Sequence, residues 1–145
     1  MTTEGELIGL FLRHLVPKGL GPVETARRIK DQGGLVYLEH PYDQFRRHLT
    51  EEAIEAVAGL IDIVEVVNGR SNEDANRRAA DLCDTLGVAR GAGSDAHTIA
   101  EIGSVYVEME DFDGAPDFLA KLHKAKIVQG RNKWLLRAEA MMHGR

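Results

Sequence analysis

Short apolar runs alternate with amphipathic stretches along this chain, the pattern of buried strands joined by covering helices. Residues 7–12, Leu-Ile-Gly-Leu-Phe-Leu, form the first run. Pro22 suits the first turn of a helix that turns Val23, Ala26 and Ile29 to the core and stops at Gly33 and Gly34. Residues 35–38 then read as a second strand. Thr50 can cap a second helix in which Ile54, Val57, Ala58 and Ile61 recur at core-facing spacing, and residues 63–67 give a third strand. Ser71, followed three residues on by Asp74, resembles a capping box, and Ala75, Ala79, Leu82, Cys83 and Leu86 draw one apolar stripe down to Gly87. Residues 88–92 read as a fourth strand and 104–109 as a fifth; Asp113 caps a helix carrying Phe118, Leu119 and Leu122, and 126–128 is a short sixth strand. This order predicts an α/β fold with parallel strands and crossover helices. In residues 131–145, Trp134, Leu135, Leu136, Ala138, Met141 and Met142 recur among basic residues as an amphipathic docking or dimerisation helix. A membrane-surface helix would need a stronger basic face than Lys133, Arg137 and Arg145 supply.

Composition narrows the picture. A chain of 145 residues with 43% hydrophobic content suits a single domain, 1–145. The formal charge of −5, with no long basic run, disfavours a broad nucleic-acid surface and leaves room for a local cationic pocket. The single Cys83 has no partner for an internal disulfide and reads as a core thiol in a reducing compartment. The first residues are acidic, and the apolar run after them is too short to span a bilayer, so the expectation is a cytoplasmic protein without a membrane partner.

The chemistry gathers at three predicted strand ends. His40 stands where the second strand stops and Pro41 forbids it to continue, Asn68 ends the third, and Asp95 with His97 follows the fourth. In a barrel-like α/β fold such ends share one mouth. Asp-x-His offers a hard oxygen and a borderline nitrogen, a mixture suited to Zn, Mn or Fe. Each residue also has a plainer reading: His40 as a core histidine bonded to a carbonyl, Asp95 as the cap of a turn containing Ile99 and Glu101. Glu65 shares a strand face with Ile63 and Val67, and is either a carboxylate supporting the mouth or an ion-pair partner. Arg46, Arg47 and His48 follow His40 closely and Arg70 follows Asn68, so guanidinium forks can meet a phosphate there, or lie in solvated loops. His14, His123 and His143 lie away from strand ends and read as surface residues.

Three segments resemble the later motifs of the PHP (polymerase and histidinol phosphatase) superfamily: Gly-Gly-Leu-Val-Tyr-Leu-Glu-His-Pro at 33–41, Ile-Val-Glu-Val-Val-Asn-Gly-Arg at 63–70, and Gly-Ser-Asp-Ala-His at 93–97 followed by Glu-Ile-Gly at 101–103. The resemblance runs from Glu6 to about Val128 and implies part of a distorted (β/α)7 barrel, open, with about six strands and flanking helices. It implies a metal-dependent phosphoesterase acting on a small phosphorylated metabolite or nucleotide. His40, Asp95 and His97 would bind divalent ions that neutralise charge on the phosphoryl oxygens. The family's opening His-x-His motif, its next ligand and an early-strand Glu have no counterpart. Where many members carry a His before the Ile8-Gly9 segment this chain has Glu6, a further ligand candidate.

An incomplete ring leaves strand edges open, so the expectation is a homo-oligomer or association with a separate N-terminal chain. The alternative function is a truncated, non-catalytic PHP remnant serving as a metal-binding or interaction module; a third, an amidohydrolase-like enzyme, shares the His and Asp chemistry. Elemental analysis separates the first two, because two or three ions per chain favour catalysis and none favours the remnant.

Overall fold

A computed structural model of the chain describes residues 1–130, so the expected docking helix at 131–145 lies outside the described residues. Four strands form one sheet in sequential order: β1 (Ile8–Leu10), β2 (Leu35–Leu38), β3 (Ile63–Asn68) and β4 (Ala89–Gly93). Helix α1 (Pro22–Lys30) joins β1 to β2, α2 (Glu51–Val57) joins β2 to β3, and α3 (Glu73–Leu86) joins β3 to β4. Beyond β4, β5 (Val105–Glu108) and β6 (Lys126–Gln129) make a separate pair with α4 (Gly114–Leu122) between them. No helix among the described residues is long and apolar enough to cross a membrane.

The all-parallel expectation needs correction at both ends. The β2, β3 and β4 strands run parallel, but β1 is antiparallel to β2, and β5 to β6. A helix between two strands ordinarily signals a parallel crossover. Here the long connection 11–21 carries the chain across before α1 begins, and that reversal cancels the inference.

Period-2 alternation splits the sheet into two faces. Val36, Leu38, Val64 and Val66 pack with Ala26 and Ile29 of α1, Ala53, Ile54 and Val57 of α2, and Ala79 and Cys83 of α3. Leu35, Ile63 and Ala89 point the other way, toward Ala115 and Leu122 of α4, with Tyr37, Val107 and Phe118 beside them. All three connecting helices therefore cover one face. Local signals place their ends: Thr50 caps α2 by accepting from the Ala53 N–H, and Gly87 closes α3 in the left-handed region at φ 67°. The cap of α3 is Asn72, which accepts from the Ala75 N–H, not Ser71 as the spacing suggested. Ser71 instead donates to Asp43 Oδ2 at 2.7 Å. Asp113 is the N-cap of α4 but makes no side-chain cap bond; its own N–H goes to Asp117 Oδ2.

Candidate metal centre

Because β2, β3 and β4 run parallel, their C-terminal ends open on one edge of the sheet, and His40, Asn68 and Asp95 follow them there. The antiparallel β1 adds its N-terminal end to the same edge. Its register pairs Ile8 with Tyr37 and Leu10 with Leu35; continued by two residues, it sets Glu6 opposite Glu39. Like charges directly across a ladder repel. The Glu39 carboxyl is pushed up to about 7, first by burial and then by the negative charges of Glu6 and Asp95.

Glu39 is the residue that sequence reading missed. Alternation sends neighbours in a strand to opposite faces, so Glu39 and His40 should not share a cavity. His40, however, has φ +30°, a backbone conformation that L-residues rarely adopt, and the turn it makes brings both side chains to the mouth. Among the described residues, Glu6, Glu39 and His40 form a group whose ligand atoms all lie within 4.8 Å of one another. His40 Nε2 is 3.5 Å from Glu39 Oε2 and 4.0 Å from Glu6 Oε2. The imidazole is only 7% exposed, and its buried Nδ1 has no hydrogen-bond partner. With Nδ1 unpartnered and Nε2 facing two carboxylates, the group offers one nitrogen and two hard oxygens, a set that could hold a divalent cation.

Behind this group lies a polar lattice. Glu65 is buried, and its Oε2 accepts from the His40 N–H at 2.9 Å and from Asn68 Nδ2 at 3.0 Å, while Tyr37 Oη donates to Oε1 at 3.3 Å. The partners these bonds give Glu65 are the backbone of His40 and the side chains of Asn68 and Tyr37. Burial raises its pKa, and the bonds from Asn68 and His40 pull the other way; the Tyr37 hydroxyl is held protonated by burial and by Glu65. Asn68 Oδ1 accepts from the Arg70 and Ser71 N–H groups, and its Nδ2 also reaches Asp95 Oδ2 at 3.5 Å.

Asp95 and His97 form the other half of the mouth. Asp95 has φ +47° and does not cap the following turn, Ile99–Glu101, whose N-cap is Thr98. His97 Nδ1 donates to the Asp95 carbonyl at 2.8 Å, and its backbone N–H goes to Glu101 Oε2 at 2.7 Å. Arg46 spans the pair: one guanidinium nitrogen is 2.9 Å from Asp95 Oδ2 and the other 3.3 Å from His97 Nε2. Arg70, the other expected phosphate partner, pairs with Glu101 Oε1 at 2.7 Å. The side chains of Asp95 and His97 are thus engaged with a cation of the protein's own, beside the Glu6–Glu39–His40 group and not within it. Among the other histidines, His14 and His123 are exposed as expected, and His143 lies outside the described residues.

Comparison with known proteins bears on this geometry. Residues 73–127 match the family described as PHP-associated. The chain is 32% identical over 147 residues to Uncharacterized protein MJ0417 of Methanocaldococcus jannaschii, covering 96% of this chain and 61% of that protein. A second protein of the same organism, MJ1587, is 48% identical over 68 residues, 47% of this chain and 38% of its own length. The chain therefore spans less than two thirds of the curated relatives it matches. Among solved structures, PsfC from Pseudomonas syringae has a TM-score of 0.65 at 15% identity, covering 88% of this chain and 53% of that one, a likeness of fold alone.

Proposed function

We propose, from the premise that this chain belongs with the PHP superfamily through its C-terminal portion, that it carries the metal-holding mouth of a phosphoesterase acting on a small phosphorylated metabolite or nucleotide. The observation that carries the reading is His40: a buried imidazole on a strained backbone, with no hydrogen bond at Nδ1 and two carboxylates before Nε2. Strain of this kind persists only where surrounding structure enforces it, and it gathers at functional sites. Asp95, the second strained ligand candidate, lies at the same edge.

Glu6, Glu39 and His40 would hold one divalent ion, and Asp95 with His97 would contribute to a second place beside it. Bound metal supplies positive charge at the phosphoryl oxygens and lowers the pKa of water. Asn68 orients the two carboxylates it touches, those of Glu65 and Asp95, and Glu65 fixes the backbone of His40. Arg46 and Arg70 bring guanidinium forks to the rim, where a phosphate can be met by two parallel bonds. Sequential strand order with α1, α2 and α3 on one face supports an arc of a (β/α) barrel, while α4 lies against the other face. Cys83, a lone buried thiol, agrees with a reducing, cytoplasmic setting.

Calorimetric titration of chelator-treated protein with Mn²⁺, alongside hydrolysis of a simple aryl phosphate, tests the reading. His40→Ala and Asp95→Ala each abolish or greatly weaken binding and remove Mn²⁺-dependent turnover. Turnover that survives unchanged in Asp95→Ala eliminates the proposal.

A further inference from the structure

The geometry points to Arg46 as a built-in counter-cation that holds the Asp95–His97 place until a divalent metal displaces it, whereupon the freed guanidinium is available to phosphate. This rests on the metal reading above. It adds an order, metal before phosphate, that the donor set alone does not imply.

The argument turns on one lone pair. A backbone carbonyl can only accept, so the 2.8 Å contact between His97 Nδ1 and the Asp95 oxygen places the ring proton on Nδ1. Nε2 then carries the ring's single free lone pair, and Arg46 donates to it at 3.3 Å. Two donors could not face each other there, which fixes the same tautomer independently. The hydrogen bond to the carbonyl is also the arrangement that usually orients a metal-binding histidine. His97 is therefore set to ligate through Nε2, the atom Arg46 now covers.

Asp95 differs, because a carboxylate has about four lone-pair sites and can hold a guanidinium and a metal together. Competition for a lone pair is thus confined to His97, and at Asp95 the guanidinium opposes an ion only by like charge. Arg46 cannot drift far when displaced: its backbone N–H goes to the Asp43 oxygen at 3.3 Å and its carbonyl accepts from the His48 N–H at 3.0 Å. Asp43 is tied in turn to Ser71 after β3. The turn bearing His97 is held as firmly, by Glu101 and its pair with Arg70. The guanidinium is the movable part between two fixed supports.

The test is a double-mutant cycle on the whole chain, read by Mn²⁺ calorimetry. Arg46→Met keeps an unbranched apolar stem and removes the donors; it binds Mn²⁺ more tightly than the native protein, by on the order of 5–150-fold if the coupling is of ordinary size. The gain is smaller in the His97→Ala background, because the contested lone pair is gone and only the like-charge part remains. Inorganic phosphate behaves oppositely, binding the Mn²⁺-loaded native protein and binding loaded Arg46→Met more weakly. Arg46→Lys, which keeps the charge without the fork, falls between the two. Affinity for Mn²⁺ that is unchanged or lower in Arg46→Met overturns the inference, as does a gain that is undiminished without His97. If His97→Ala alone leaves Mn²⁺ binding intact, the assignment of His97 as a ligand fails instead.

Discussion

Gly69 and Gly59 lie ten residues apart, and residue type alone does not distinguish them. A Cβ on Gly69 would collide with the Ser94 carbonyl oxygen and lie 2.9 Å from Ser94 Cα, both backbone atoms that cannot swing aside. Gly69 also donates its N–H to the Gly93 oxygen at 2.8 Å, so the ends of β3 and β4 are clamped two residues before Asp95. Gly69→Ala should lower stability by about 1–3 kcal/mol, the usual penalty of overpacking, and should weaken Mn²⁺ binding by shifting Asp95. A Cβ on Gly59 would meet nothing within 4 Å. Gly59→Ala should therefore be neutral or stabilise by about 0.4–1 kcal/mol through the unfolded chain. Urea denaturation of both variants, with calorimetry on Gly69→Ala, checks the contrast. The same scale shows what could be read beforehand. His40, Asn68 and Asp95 were legible because each follows an apolar run that stops. Glu39 was not, because the positive φ at His40 is a tertiary outcome that breaks the alternation rule. The engagement of Arg46 was hidden too, since the loop from Pro41 to Leu49 has no periodicity from which to place a guanidinium.

Among elements, α3 carries the most informative discrepancy. The stripe of Ala75, Ala79 and Cys83 is buried as its spacing predicts, and the end at Gly87 agrees. The start moves by one residue because Asn72 and Ser71 are both good caps, and sequence alone does not say which one another segment will claim. Ser71 is drawn to Asp43, so Asn72 caps. Asn72→Ala should cost about 1 kcal/mol of stability and leave Mn²⁺ affinity where it was, because that bond serves only the helix. Ser71→Ala should do the reverse, loosening the loop that anchors Arg46. Denaturation midpoints and Mn²⁺ isotherms for the two variants separate a capping role from a site-supporting one. Strand direction was the other illegible feature. Alternation is the same in both directions, so nothing in residues 7–12 announced that β1 would run against β2, although that reversal is what sets Glu6 opposite Glu39.

At the scale of the whole molecule, the sheet does not close on itself. Among the described residues β1 and β4 each pair on one side only. Along β4 the space toward β5 and α4 is a groove of about 480 Å³ lined by Tyr37, Gly91, Gly93, Val105, Tyr106 and Phe118. Near the β1 end, Phe11 and Phe112 are about 40% exposed and stack edge-on with Phe118, at ring-centroid distances of 5.2 and 4.8 Å. Open ladders beside exposed aromatic rings invite pairing, which is why barrels close or acquire partners. If the barrel reading is right, the chain should self-associate at micromolar concentration or bind a separate polypeptide that completes the ring. Multi-angle light scattering on the native chain should give a mass above that of one copy, and Phe112→Asp should reduce it by placing a charge among the rings. Because Phe112 packs on Phe11, beyond the C-terminal end of β1, while Glu6 precedes the N-terminal end of that strand, this variant should retain His40-dependent Mn²⁺ binding. A clean monomer in light scattering, with no polypeptide partner found, would leave the sheet as a finished open fold and remove the argument for an arc of a larger barrel, while the metal centre would stand or fall on its own titrations.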